Sequence, residues 1–376
     1  MSTVLAAPAG TAPAARRGGS PARPGRMVLG ILGVALVAWL VINIFLSIAW
    51  FPGWYLNNRL LMAVVGILAG LGGAALLFYF ANVFAESLPQ RLSQGVIPYI
   101  FLLPAFGFIS LMLLYPTVQT INYSFAGDRS TEYVGFDNYA AIFSSGEFWL
   151  AITNNLLWLA IVPAVTVAFG VVVALFADRL PATGEKVAKS LIFLPMAISF
   201  VGAATIWRLV YNLDEDTGLL NAIITGLGGT AQDWLRFDTA RLNSLLMMVI
   251  LVWLQVGFAM VLLSGAIKAV PEETLEAARL DGANERQLFF RVIIPQIRGT
   301  ILTVFITVLI LVLKVFDIIY VLTNGQARTN VIAVLFFQEL FTAQRAGQAS
   351  AIVVILLLLV LPVLLYQVRS FREETR

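Results

Sequence analysis

The sequence predicts an all-α membrane protein of about eight transmembrane helices, and three observations carry that prediction. Of 376 residues, 60% are hydrophobic and only 12% are charged, about half the charge of an average soluble domain. The apolar residues gather in runs of roughly 20 or more, the length a helix needs to cross the hydrocarbon layer. The runs are continuous rather than alternating, which argues against a transmembrane β-barrel. Mean hydropathy is +0.88.

The elements follow in chain order. Residues 1–26 are rich in Ala, Pro, Gly and Arg, a composition that cannot build a core and reads as a disordered tail. Spans follow at about 27–51, 60–85, 97–121, 148–177, 187–210, 242–267, 298–323 and 347–368. The first continues into "FPGWYLNN" with no small-residue cleavage site, so it is an uncleaved span rather than a signal peptide. Residues 27–96 form a two-helix transmembrane extension, joined by the polar linker "ESLPQRLSQG" to a body at 97–370. Gly66, Gly70 and Gly73 in the second span are helix-packing positions. Segments 122–147 and 211–241 are long polar loops with scattered aromatics, suited to docking a partner.

Orientation follows from Lys and Arg. With both termini cytoplasmic, about 16 basic residues face inside and about 7 outside, with Lys314 left within a span. Acids divide evenly, as expected where Lys and Arg set topology. Trp50, Trp54 and Tyr55 then lie at the outer interface.

Several function classes are excluded. The chain has no Cys and no His, hence no disulfide, thiolate nucleophile, imidazole base or His/Cys metal site. No G-x-x-x-x-G-K-[ST] occurs, so no Walker A loop cradles ATP. A membrane enzyme has little support, and no internal repeat points to a carrier built from inverted halves.

One cytoplasmic stretch is too ordered for a plain loop. In "EAARLDGANERQLFFRVIIP", residues 276–295, Pro271, Glu272 and Glu273 suit a helix start, and Glu276 and Arg279 can pair at i, i+3. Gly282 supplies a left-handed stop. Asp281 or Asn284 caps a second helix, whose apolar face is Leu288, Phe289 and Val292. Pro295 separates it from the next span. The result is a helix–turn–helix at the inner surface, rich in acids where lipid-surface helices favour Lys and Arg. It is suited to another protein's groove.

This stretch closely resembles the EAA loop of binding-protein-dependent ABC importer permeases. Glu276, Ala277, Ala278, Asp281, Gly282, Ala283 and Pro295 match, while Ile294 stands where the family usually has Leu. "FLPMAISFVGAATIWRLVYN", "YVGFDNYAAIF" and "KVFDIIYVLTNG" resemble the carbohydrate branch, of the larger maltose and α-glucoside permease type. The very large external domain of the larger maltose permease is missing, and "NGQARTN" replaces a G-G-P ending. The resemblance implies a type I, maltose-transporter-like fold in the bacterial inner membrane, with 268–298 as the coupling loop. It implies a second permease subunit, two cytoplasmic ATP-binding subunits and an extracytoplasmic sugar-binding protein as partners. ATP and Mg then belong to the ATPases. The chain itself would hold no cofactor or metal, bind no nucleic acid and catalyse no bond chemistry.

Polar and aromatic residues within spans are the candidates for a substrate path. Lys314 and Asp317, at i, i+3, either neutralise each other or line the path with Phe316 and Tyr320. Trp253, Gln255 and Phe258 offer the mixture a sugar needs, aromatic faces for C–H surfaces and an amide for hydroxyls. Asn154 and Asn155 are further candidates, or hydrogen-bond neighbouring helices. The same architecture suits glycerol-3-phosphate or another polyol. An ion-coupled carrier relaying through Lys314 and Asp317 would leave the EAA stretch without a purpose.

Overall fold

The first two helices are held together by missing side chains. In this computed structural model, which describes residues 23–128, 132–237 and 239–374, α1 (Pro24–Trp50) and α2 (Arg59–Ser87) form a hairpin. A Cβ added to Gly33 would lie 2.1 Å from the Phe80 ring, and one on Gly73 2.3 Å from Val41. Backbone approach of this kind is how helices associate where no hydrophobic force separates them from lipid. Gly66 and Gly70 do not share the role, since their nearest neighbours stand 3.8 Å off. Asn58 caps α2, accepting from the Leu60 and Leu61 amides at 2.9 and 3.3 Å.

The expected tail lies outside the described residues up to 22, and Pro24–Arg26 already belong to α1. The polar linker is largely helical. Only Leu88 and Pro89 interrupt, and α3 runs Gln90–Ile109, then through a wider π turn at Ser110–Leu114 to Tyr123. The chain divides into two compact units after Pro116. The first therefore holds most of the third helix as well as the two helices of the expected extension.

The second unit carries the rest. A short helix, α4 (Asp137–Ser144), precedes α5 (Gly146–Ala177). Then come α6 (Ala182–Phe193), α7 (Phe200–Val210), α8 (Leu219–Gly226) and α9 (Leu242–Lys268). After them follow α10 (Glu272–Leu280), α11 (Glu285–Gln296), α12 (Arg298–Leu313) and α13 (Asp317–Leu322). The chain closes with α14 (Ile332–Thr342) and α15 (Ala346–Glu374). The core gathers on α5 and α9, where Trp158, Met247, Met248, Leu251 and Leu254 are fully buried. A Cβ on Gly170 would sit 2.6 Å from that of Ala259, so the two helices touch at small residues here too. Among the described residues the only extended pairing is a single bridge, Ala126 to Tyr133.

Two of the expected spans are broken rather than continuous helices. Among the described residues five helices are long and apolar enough to cross a membrane, and two bent pairs raise this to seven. The eighth expected span, 347–368, lies within α15. The fifth expected span is broken: α6, prolonged by a tighter turn at Leu194–Ala197, meets α7 at 101°. Pro195 offers no amide there, and Ser199 restarts the helix by accepting from the Gly202 amide at 3.1 Å. The seventh is broken at Lys314–Phe316 with neither Pro nor Gly present.

Candidate functional site

The two breaks face one cleft. It has a volume of about 520 Å³ and is lined by Met196, Ile198, Ser199 and Phe200 from the first break and Asp317 from the second. Leu254, Gln255 and Phe258 of α9 and Thr307 and Leu311 of α12 complete it. That volume falls within the roughly 300–1,000 Å³ of small-molecule sites. Gln255 is 6% exposed, yet among the described residues no hydrogen bond engages its carboxamide. A polar group at membrane depth without a protein partner is costly unless a cavity hydrates it or a ligand meets it.

Of the two roles open to Lys314 and Asp317, the structure does not show mutual pairing among the described residues. The helix stops between them, Lys314 ends α12 exposed, and no ion pair joins them among the described residues. Both instead line a smaller cavity of about 270 Å³ with Phe200, Leu251 and Phe316. Asp317, on the walls of both cavities, is their common residue with Phe200 and Leu311. Phe316 stacks on Tyr320 at 4.9 Å, and Phe337 and Phe341 extend the aromatic row, with centroids 5.0 and 4.6 Å apart along it.

The 268–298 segment folds as a helix–turn–helix. Gly282 has φ +83°, and the turn around it is a Schellman stop. The Ala283 amide donates to the Ala278 carbonyl and the Gly282 amide to that of Arg279, both at 3.0 Å. Asn284 then opens α11 through a reciprocal capping box with Gln287, both bonds 2.9 Å. Arg279 reaches across the turn to Glu285 at 3.4 Å rather than pairing with Glu276. Leu288 is buried and Phe289 packs against Val171, Ala259, Leu263 and Val304, which anchors the segment on α5, α9 and α12. Pro295 lies in α11 next to a π turn at Leu288–Ile293, and the chain bends 69° into α12. Glu276, Ala277, Asp281 and Gly282 are exposed, and Ala278 and Ala283 half-buried. Leu280 is 89% exposed, more than any other large apolar side chain described.

Residues 167–372 match the family described as the binding-protein-dependent transport system inner membrane component. The chain is 41% identical to the alpha-glucoside transport system permease protein AglF of Rhizobium meliloti, over 85% of its own length and 99% of that protein's. It is 45% identical to the osmoprotective compounds uptake permease protein GgtC of Synechocystis, over 73% and 98%. A solved bacterial ABC transporter that imports the acidic polysaccharide alginate contains a chain of the same fold. The TM-score is 0.65 at 23% identity, covering 75% of this chain and 99% of that one. The chain belongs to the binding-protein-dependent transport permeases. It is a multi-pass membrane permease subunit and not an enzyme.

The remaining expected residues divide in the permease. Trp253 faces away from the cleft. It lines an apolar groove of about 650 Å³ with Phe169, Leu191 and Pro195, its ring edge-on to Trp207 at 5.8 Å. Asn154 and Asn155 are buried, and both are engaged by the protein. Asn154 donates to the Arg328 and Asn330 carbonyls at 2.8 and 2.7 Å and accepts from Arg241, while Asn155 accepts from the Ile332 amide at 2.8 Å. They clamp the 328–332 turn, and the Asn154 carboxamide is engaged at both ends.

Sequence reasoning missed a cluster where the ends of α5, α6 and α9 meet. Lys189 lies 2.6 Å from both Asp178 and Glu185, and Lys268 bonds Glu185 and stands 3.5 Å from Asp178. Lys189 also donates to Ser264, which donates to Asp178 at 2.7 Å. Glu185 occupies the polar turn ahead of the apolar run from 187. Hydrogen bonds from Lys189 and then Lys268 hold its carboxyl far below the ordinary carboxylate range, at about 2. The only sequence signal was the i, i+4 spacing of Glu185 and Lys189.

Proposed function

We propose that this permease is one of two transmembrane subunits of an ATP-driven importer of a disaccharide or α-glucoside such as maltose or trehalose. The observation that carries the reading is the 268–298 segment. An ordered, capped turn that presents acids and a bare Leu280 has the form of a helix made for a groove in another protein. In this reading the segment faces the cytoplasm, as do both termini, and docks on one of two ATPase subunits that bind ATP and Mg. Glu276 and Gly282 carry the coupling. An extracytoplasmic binding protein delivers sugar, in keeping with the solved alginate transporter in complex with a pentasaccharide-bound periplasmic protein.

The broken spans suit alternating access, because short helix segments ending at a cavity can pivot there. Gln255 and Asp317 offer hydrogen bonds to hydroxyls, and Phe258, Phe316 and Tyr320 offer rings to C–H faces. The α-glucoside relative supports the sugar class. A second reading, a small polyol-like osmoprotectant, is favoured by the 45% identity to the osmoprotective compounds permease. A phosphorylated cargo is disfavoured, since among the described residues Lys314 is the one cation lining the two cavities and it shares the smaller one with Asp317.

The test is uptake by membrane vesicles from cells that express the chain with its partner subunits. Labelled maltose, trehalose, sucrose, glycerol-3-phosphate and a glycosylated polyol are offered, with ATP or a non-hydrolysable analogue inside. The expected result is accumulation of one disaccharide that requires hydrolysable ATP and external binding protein. Accumulation of the polyol alone selects the second reading. Uptake that ignores ATP and collapses with the ion gradient removes both.

A further inference from the structure

The charged cluster at the ends of α5, α6 and α9 does more than neutralise buried charge. Asp178 follows the last residue of α5, Glu185 and Lys189 sit in the first two turns of α6, and Ser264 and Lys268 occupy the last turns of α9. Lys268 is the final residue of α9, and α10 begins at Glu272. Any displacement of the exposed segment is therefore applied beside Lys268. Towards the cleft the same helices meet again: a Cβ on Gly257 would lie 2.5 Å from the Ile192 carbonyl oxygen. α6 and α9 are thus fastened at two levels, and near the second α9 presents Gln255 and Phe258 to the cleft, facing Met196 and Ser199 of the first break.

The cluster also has a spare position. Oδ2 of Asp178 is buried and has no hydrogen-bond partner. Lys268, bonded to Glu185 and 3.5 Å from the other Asp178 oxygen, stands beside it. Two lysines facing two carboxylates with one oxygen unused can exchange partners when the helix ends slide, without leaving a charge uncompensated.

We propose that Asp178, Glu185, Lys189, Ser264 and Lys268 are positioning residues that make α5, α6 and α9 follow the 268–298 segment as one body, with Lys268 re-pairing onto Asp178 during the stroke. The inference rests on the transport reading above.

The test uses the whole complex in proteoliposomes with sugar-loaded binding protein and reads sugar imported per ATP hydrolysed. Lys189→Met removes the hub, and Lys189→Arg restores its charge. Lys189→Met is expected to lower the ratio about tenfold, within the range by which residues remote from both sites alter coupling, and Lys189→Arg to recover most of it. A merely structural lysine would lower the amount of assembled complex and leave the ratio of the surviving fraction unchanged, which overturns the inference. A wild-type ratio in Lys189→Met does the same while leaving the transport reading intact. A wild-type complex without ATP-dependent uptake removes the transport reading itself. Should Lys189→Met fail to assemble, Asp178→Asn, which keeps the shape and removes the charge, is read by the same ratio with the same outcomes.

Discussion

The two ends of the second unit are fastened by different chemistry. At one end, buried carboxamides grip backbone. Asn154 and Asn155 hold 328–332, Asn243 donates to the Ala327 carbonyl at 2.8 Å, and Asn138 donates to the Ser124 and Ala126 carbonyls at 3.0 and 2.8 Å. Asn221 gathers its loop through the Asn212 and Gln232 carbonyls and the Trp234 indole. Ion pairs described there are local, Asp233 with Arg236 and Glu339 with Arg345. Burial pushes the Glu339 carboxyl up, with Arg345 opposing. At the other end, side-chain charges bind three separate helices to one another. A carboxamide on a backbone carbonyl is directional and has one geometry. An ion pair is less directional and can change partners. The difference teaches that the permease fixes one end and leaves the other able to rearrange, and the exposed 268–298 segment joins the end that can rearrange.

Four measurements can break or sharpen this contrast. The largest effect belongs to the fixed end. Asn154→Leu strands two carbonyls and Arg241 and should cost about 3 kcal/mol of stability, seen as a lower unfolding midpoint in detergent that salt does not alter. An unchanged midpoint would mean that this end is not the rigid one. Next, Gly282→Pro meets a φ of +83° that proline cannot adopt, while a side chain there meets nothing within 4 Å. ATP-driven uptake should fall about a hundredfold as the turn is displaced, with the unfolding midpoint kept. Normal uptake by this variant counts against a coupling role for the turn.

Gln255→Leu sets an unengaged amide against the engaged one. It should raise the half-saturating sugar concentration about tenfold without loss of stability, because no protein partner is orphaned. A stability loss like that of Asn154→Leu would make Gln255 structural. The smallest effect is acid loosening of the charged end. Glu185 has a folded-state pKa below its ordinary 4.5, so its contribution is complete above 4.5 and is lost as pH falls through about 2. The chain has no cysteine, so spin labels at introduced Thr183→Cys and Ala269→Cys report on that end alone. Their distance distribution should broaden over this window. A label pair at Ser144→Cys and Gln326→Cys should not, and equal broadening of both would erase the contrast.

Much of this was legible in the chain. Hydropathy placed the spans, because lipid imposes one length and one polarity on whatever crosses it. The 268–298 turn was readable because a left-handed stop and a cap are local events written in Gly282 and Asn284. The Pro195 break is marked in the sequence only by a missing amide, and hydropathy runs straight through it. The Lys314–Phe316 break left no local mark, being neither Pro nor Gly. The amide clamps joined residues up to 177 positions apart, beyond any window of periodicity. Asn154 and Asn155 therefore looked as much like a polar path as a clamp.

The sequence by itself determined that the protein is a bundle of apolar helices with one charged, capped turn held out of it, since burial and capping act within a few residues. Only the tertiary structure decided which polar groups are occupied and which are free. Asn154 is engaged, and among the described residues Gln255 is not. Lys189 and Lys268 share two acids, while Lys314 and Asp317, three residues apart, do not pair. The physical reason is that a hydrogen bond or ion pair depends on where two helices place their ends, and that placement is set by packing across the whole unit.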